Sequence, residues 1–145
     1  MSRLLFAATM LLLGGVSLAV AQAEPAWVPK EFAAMNTIEL RTTSDEDGDY
    51  WFPVWVVVID DAVFVRLGSR AAERIKFNAK FPDVGVRIGD KQFERVHAEP
   101  APEYAVRIAG AMASKYWTDI FVRWLDHPLT LELVPARGST GEAQL

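Results

Sequence analysis

Two apolar runs joined by an acidic pair decide the fold of this chain: Tyr50-Trp51-Phe52-Pro53-Val54-Trp55-Val56-Val57-Val58-Ile59, then Asp60-Asp61, then Ala62-Val63-Phe64-Val65-Arg66-Leu67. The first run is too short to cross a bilayer as a helix, which takes about 20 apolar residues. Its Val, Ile and aromatic content favours a β-strand. Alternate side chains of a strand point to opposite faces, and both faces of this one are apolar. We therefore expect a central strand whose second face is covered by a helix or by another subunit.

The start of the chain has the layout of a secretory signal peptide. Met1-Ser2-Arg3 is cationic, residues 4–20 are apolar, and Ala21-Gln22-Ala23 is a small-x-small cleavage site. We predict cleavage after Ala23 and a periplasmic or secreted protein with no membrane attachment; an uncleaved anchor is the alternative. The chain has no cysteine to carry a lipid and no second arginine beside Arg3, which favours Sec-type export.

Residues 24–145 are enough chain for one domain with a sizeable core. Without cysteine, neither disulfides nor thiolate metal sites can stabilise that domain, so hydrophobic packing must do so. The formal net charge of -4 argues against a nucleic-acid partner.

Periodicity and turn residues predict six strands, at 37–43, 50–59, 62–67, 84–88, 91–99 and 129–134. Helices are predicted at 70–78, with Ser69 as N-cap and Ala71, Ile75 and Ala79 on the buried side, and at 103–116 and 117–125. Short strands with tight turns favour a closed antiparallel barrel. We therefore predict a mainly β, α+β fold: a six-stranded split β-barrel over 37–135, with a short inserted helix, a C-terminal helical region, a lead-in at 24–36 and a flexible tail at 136–145.

Residue patterns for catalysis or metal binding are scarce. The two histidines, His97 and His127, have no ligand-like neighbours at a metal-binding spacing. There is no nucleophile-elbow sequence and no glycine-rich dinucleotide fingerprint. The aspartates of 44–49 resemble part of a calcium loop, but Tyr50 stands where that loop needs Gly, so we interpret 44–49 as a solvated hairpin loop. We assign no catalytic and no metal-binding residue.

One corner of the sequence points to a ligand. Arg66, Gly68, Ser69 and Arg70 lie where a strand passes into a helix. The backbone N–H groups and dipole of a helix N-terminus favour an anion, and guanidinium groups bind phosphate bidentately. The alternative is that Ser69 simply caps the helix and both arginines are solvated. Spacing alone leaves both interpretations open.

The corner and its flanking strands resemble the FMN-binding split-barrel superfamily, which includes pyridoxamine 5′-phosphate oxidases and deazaflavin-dependent reductases. The resemblance spans roughly 37–99 and depends on segments 52–56, 60–61, 63–72 and 84–88. It implies that Ser69 and Arg70, with Arg66 and Gly68 nearby, hold the phosphate of FMN or a deazaflavin. It also implies that Trp55 lies along the ring system, and that the flavin sits at a homodimer interface.

Two functional hypotheses follow from the resemblance and the predicted export. The first is an exported flavin- or deazaflavin-binding protein, an oxidoreductase in which the bound flavin exchanges hydride with a nicotinamide or a small-molecule substrate. The alternative is an exported binding or structural module on the same barrel, without redox activity. A flavin absorption band in the purified protein would distinguish them.

Overall fold

The computed structural model describes residues 23–115 and 129–136. The helices are α1 (Pro29–Ala34), α2 (Ser69–Lys76) and α3 (Ala105–Lys115), with a 3-10 turn at Pro102–Tyr104. The strands are β1 (Thr37–Ser44), β2 (Gly48–Ile59), β3 (Ala62–Leu67), β4 (Asp83–Ile88), β5 (Lys91–Pro100) and β6 (Leu129–Pro135). Residues 1–22 of the predicted signal peptide, the helix at 117–125, His127 and nearly all of the tail lie outside the described residues. No helix among the described residues has the length and apolar character needed to span a membrane.

The six strands form a closed barrel in the order β1-β2-β3-β6-β5-β4. Every neighbouring pair is antiparallel. The last strand lies between β3 and β5, and a short β1–β4 pairing around Leu40↔Val86 completes the closure. Closure leaves no open sheet edge. The predicted six-stranded antiparallel barrel with short helices is confirmed.

The two-sided apolar character of β2 has a direct structural reason. Val54 and Val56 point into the barrel core, whereas Val57 points outward into a second cluster beneath α3. Ile108 and Met112 of α3 complete that cluster. The expectation that a helix covers the second face of β2 is therefore confirmed over this part of the strand.

The acidic pair between the first two core strands forms the expected tight turn. Asp60 and Asp61 both have positive φ, 51° and 61°, and Ile59 pairs with Ala62 directly after them. Two consecutive left-handed residues give the type I′ geometry that matches the twist of a two-residue hairpin. Aspartate tolerates this conformation better than most side chains, so no glycine is required.

Helix α2 begins and ends earlier than predicted. Gly68, not Ser69, is its N-cap; the Gly68 carbonyl accepts the first helical bond from the Ala72 N–H at 2.9 Å, and no side chain caps the helix. The helix ends at Lys76, and the chain beyond it is held to β1 by the buried Asn78. The Asn78 Oδ1 accepts a hydrogen bond from the Thr43 N–H at 3.0 Å. Ala79 is consequently exposed rather than part of the buried helix face. Ile75 is buried as expected.

Candidate functional site

A cavity of about 350 Å³ lies where β2, β3 and the N-terminus of α2 meet. Its lining residues are Thr37, Pro53, Val54, Trp55, Arg66, Leu67, Gly68 and Ala71. Three of the five predicted site residues, Trp55, Arg66 and Gly68, therefore line a single cavity. Its volume lies within the range of about 300–1,000 Å³ that is usual for small-molecule sites.

The hairpin register brings Trp55 and Arg66 together. They are directly opposite each other on β2 and β3, in the same register as the Ile59↔Ala62 pair that follows the Asp60–Asp61 turn. The neighbouring pair Val56↔Val65 points into the core, so Trp55 and Arg66 point to the outer face. Trp55 also packs against the cluster beneath α3, which holds one side of the indole.

Arg66 is half-buried and has no ion-pair partner among the described residues. Its Nε is buried without a hydrogen-bond partner among the residues that the structure describes. None of the ion pairs within those residues includes its guanidinium. A buried donor that lacks a partner costs about 1–3 kcal/mol. A guanidinium group on a cavity wall with a buried N–H that lacks an acceptor among the described residues is suited to bind an anionic ligand.

The N-terminus of α2 adds a second positive feature beside Arg66. Because no side chain caps this helix, its first backbone N–H groups are not occupied by a cap. Gly68 lines the cavity, and the positive end of the helix dipole lies there. The guanidinium group of Arg66 and the N-terminus of α2 therefore lie at the same cavity.

The structure does not bring Ser69 and Arg70 into that cavity. Ser69 is exposed and is not among the lining residues of the cavity. Arg70 lines a different cavity of about 340 Å³, together with Thr42, Ser44, Glu46, Asp47, Glu73, Arg74 and Phe77. Successive helical residues are about 100° apart around the axis, so Arg70 and the cavity-lining Ala71 point in different directions.

Sequence reasoning did not select Thr37, which lines the cavity, or Lys115, which contacts the backbone of β2 next to Trp55. Thr37 lines the cavity because it pairs with Trp55 across β1 and β2. Lys115, at the end of α3, donates from Nζ to the Met35 carbonyl and, at 2.9 Å, to the Val56 carbonyl. Burial lowers the pKa of the Lys115 ammonium. Both contacts are long-range, so only the register and the helix docking reveal them.

The arginines on the neighbouring outer surface differ from Arg66 because each has a carboxylate partner. Arg41 donates to Glu94 at 2.7 Å, and Arg87 donates to Glu39 at 3.0 Å. Both guanidinium groups also lie over the Trp51 ring, at 5.4 and 4.1 Å from its centroid. Hydrogen bonds from Gln92 and then Arg41 lower the pKa of the Glu94 carboxyl.

Metal-binding geometry is not found in the part of the chain that the structure describes: no three His, Asp or Glu side chains there form a group that could hold an ion. His97 Nδ1 lies 2.6 Å from Asp83 Oδ1, across the β4–β5 pairing. His97 is not among the lining residues of the cavity beside Arg66.

Comparison with known proteins supports the fold. No protein-family model matches the chain, and no curated protein sequence matches it. The structure is similar to that of HutZ, the heme storage protein from Vibrio cholerae, with a TM-score of 0.55 and 19% identity over 75% of this chain and 88% of that one. It is also similar to the conserved hypothetical protein Rv2991 from Mycobacterium tuberculosis, with a TM-score of 0.56 and 15% identity over 80% and 87% of the two chains. A FAD-binding protein from Mesorhizobium loti matches with a TM-score of 0.49 and 14% identity, over 74% and 84%. At these identities the first two likenesses show a shared fold and nothing finer.

Proposed function

We propose that the cavity beside Arg66 binds a flavin through its phosphate, with FMN or a deazaflavin cofactor as the ligand. The observation that carries this proposal is the half-buried guanidinium of Arg66, which has no partner among the described residues and stands at the uncapped N-terminus of α2. A phosphate group would supply the missing acceptors to both features at once. The sequence resemblance to the FMN-binding split-barrel superfamily supports flavin over other phosphorylated ligands.

Each cavity residue has a defined part in this proposal. Arg66 and the backbone N–H groups that follow Gly68, including that of Ser69, hold the phosphate. Trp55 lies along the flavin ring, and Arg70 adds positive charge in the first turn of α2 without reaching the same cavity. Bound flavin would supply hydride-transfer chemistry, while the protein supplies orientation and shielding from water.

A binding module without redox activity is the second candidate, and the cavity lining is the observation that favours it. Arg66 is the one ionisable side chain among the described lining residues, so the lining offers no general acid or base. An oxidoreductase would then depend wholly on its cofactor. Oxidation of a reduced nicotinamide by the FMN-loaded protein distinguishes the two candidates.

Export and dimerisation are part of the proposal. The mature protein would begin after Ala23 and act outside the cytoplasm as a homodimer, with a small molecule as its partner. N-terminal sequencing of protein recovered from the periplasm or medium tests the cleavage. Light scattering that gave a monomer mass at micromolar concentration would contradict the dimer.

FMN and riboflavin titrations of the mature protein test the phosphate assignment, because riboflavin lacks the phosphate. Arg66→Ala should weaken FMN binding by roughly 10- to 100-fold, as expected for a lost charged hydrogen bond, and should leave riboflavin affinity unchanged. Arg70→Ala should have a smaller effect on FMN. The exposed Arg107, paired with Asp60 at 3.1 Å, is the matched control.

Two results would contradict the proposal. Absence of both a flavin absorption band and fluorescence quenching would remove flavin binding altogether. Equal FMN affinities for the Arg66→Ala and Arg107→Ala variants would remove the site, even if flavin binds elsewhere on the protein.

A further inference from the structure

A second cavity, of about 240 Å³, lies between α2 and the ends of β5 and β6. Its described lining residues are Ala72, Ile75, Lys76, Phe81, Pro100, Leu129 and Leu131. It shares none of these with the cavity beside Arg66. Ala71 lines one cavity and Ala72 the other, because successive residues of α2 face in different directions. A ligand here would be independent of the flavin proposal.

The lining of this cavity is apolar except for one cation. Ile75 and Leu131 are 3% and 0% exposed and belong to the barrel core, so the inner wall is made of core side chains. Lys76 is the one charged residue among the described lining residues. A site of this composition suits a ligand with an apolar body and a single negative charge.

One exposed aromatic residue, Phe81, lies at the mouth of the cavity. Phe81 lines it and is 47% exposed. Lys76 is exposed and also lines the cavity, so its side chain can reach a charged group of a ligand at the mouth. A large apolar side chain that a folded domain leaves exposed beside an apolar cavity is consistent with a binding surface.

We propose that this cavity binds a free anionic amphiphile, with its alkyl chain inside the cavity and its carboxylate at Lys76. Core side chains on the inner wall and a small volume of about 240 Å³ suit a flexible chain better than the surface of another protein. The absence of acidic residues among the described lining residues, together with Lys76, selects a negative head group over a positive one.

A chain-length series tests the apolar half of the proposal. Straight-chain carboxylates from butanoate to dodecanoate, each below its micelle concentration, are titrated into the mature protein by calorimetry. Affinity should rise about fourfold per methylene while the chain enters the cavity, and should then stop rising when the cavity is full. A rise that continues without a plateau would indicate unspecific partitioning and overturn the proposal.

Matched lysine variants test the charged half. Lys76→Glu should weaken decanoate binding roughly tenfold through the lost pair and the new repulsion, whereas Lys80→Glu, an exposed lysine outside this cavity, should change it little. Decanol has no charge, so its affinity should not respond to Lys76→Glu. Equal effects of the two lysine variants would refute the placement of the carboxylate.

Further measurements test the location of the alkyl chain and distinguish other occupants of the cavity. Ala72→Leu should fill part of the cavity and move the affinity plateau to a shorter chain; if that variant unfolds, Phe81→Ala at the mouth should still weaken decanoate binding several-fold. An unchanged plateau in a folded Ala72→Leu protein, or unchanged affinity in Phe81→Ala, would overturn the proposal. Dissociation of a dimer by decanoate would do so too, because a second copy would then be the occupant. Binding to phosphatidylglycerol vesicles without binding to free decanoate would identify a membrane surface instead.

Discussion

Arg66→Met should raise the free energy of unfolding of the ligand-free protein. With FMN bound, the variant should be less stable than the wild type. Methionine keeps a long flexible stem but removes the Nε donor that is buried without a partner among the described residues. Burying such a donor costs about 1–3 kcal/mol, and of the guanidinium nitrogens only Nε is both buried and unbonded in that part of the chain. We therefore expect the free energy of unfolding to rise by about 1 kcal/mol, the lower end of the range.

Urea denaturation followed by circular dichroism measures this change as a shift in midpoint at constant slope. Arg107→Met is the control, because Arg107 is exposed and its ion pair with Asp60 should be worth at most about 1 kcal/mol. Saturating FMN should reverse the order, since ligand at 100 times its dissociation constant adds about 2.7 kcal/mol to the wild type. A less stable Arg66→Met protein without FMN would show that the guanidinium serves the fold, and would refute the reasoning.

Three other substitutions test the contacts around the barrel. Gly85→Ala should lower the free energy of unfolding by about 1–3 kcal/mol, because a Cβ there would lie 2.9 Å from the Cβ and the Nε of Arg41; an unchanged urea midpoint would mean that Arg41 moves aside freely. Asn78→Ala should cost about 3 kcal/mol in the same assay, since it leaves the Thr43 N–H without its acceptor; a loss below about 0.5 kcal/mol would show that water replaces the amide. Burial lowers the pKa of Lys115 below 10.5, so the unfolded chain binds more protons than the folded one just below that pH. The stability of the wild type relative to Lys115→Met should therefore rise as pH approaches 10.5, and parallel pH profiles would contradict this.

The barrel was predictable from the sequence because its signals are local. Strand alternation identifies the faces of β2, and the Asp60–Asp61 turn sets the pairing of β2 with β3. Once that pairing is known, Trp55 must lie opposite Arg66. This part of the candidate site therefore follows from residues within one hairpin.

The rest of the site was not predictable because it depends on helix phase and long-range contacts. Sequence reasoning treated Ser69 as the cap, but the cap is Gly68, and a difference of one residue turns a helical side chain by about 100°. That rotation decides whether Arg70 or Ala71 faces the cavity. Lys115 reaches Val56 from a helix 59 residues away in the chain, which no local pattern reveals.

The outer face of β2 explains why the cavity lies where it does. At one end of this face Trp51 lies beneath the guanidinium groups of Arg41 and Arg87, and at the other Val57 lies beneath α3. Trp55 lies between Trp51 and Val57 on this face; it packs against the cluster under α3 and also lines the cavity. Core packing fixes the position of Trp55 without a ligand, so the part of the cavity wall that it forms is already in place. The strand that makes the core of the barrel thereby also supplies a preorganised wall for the candidate site.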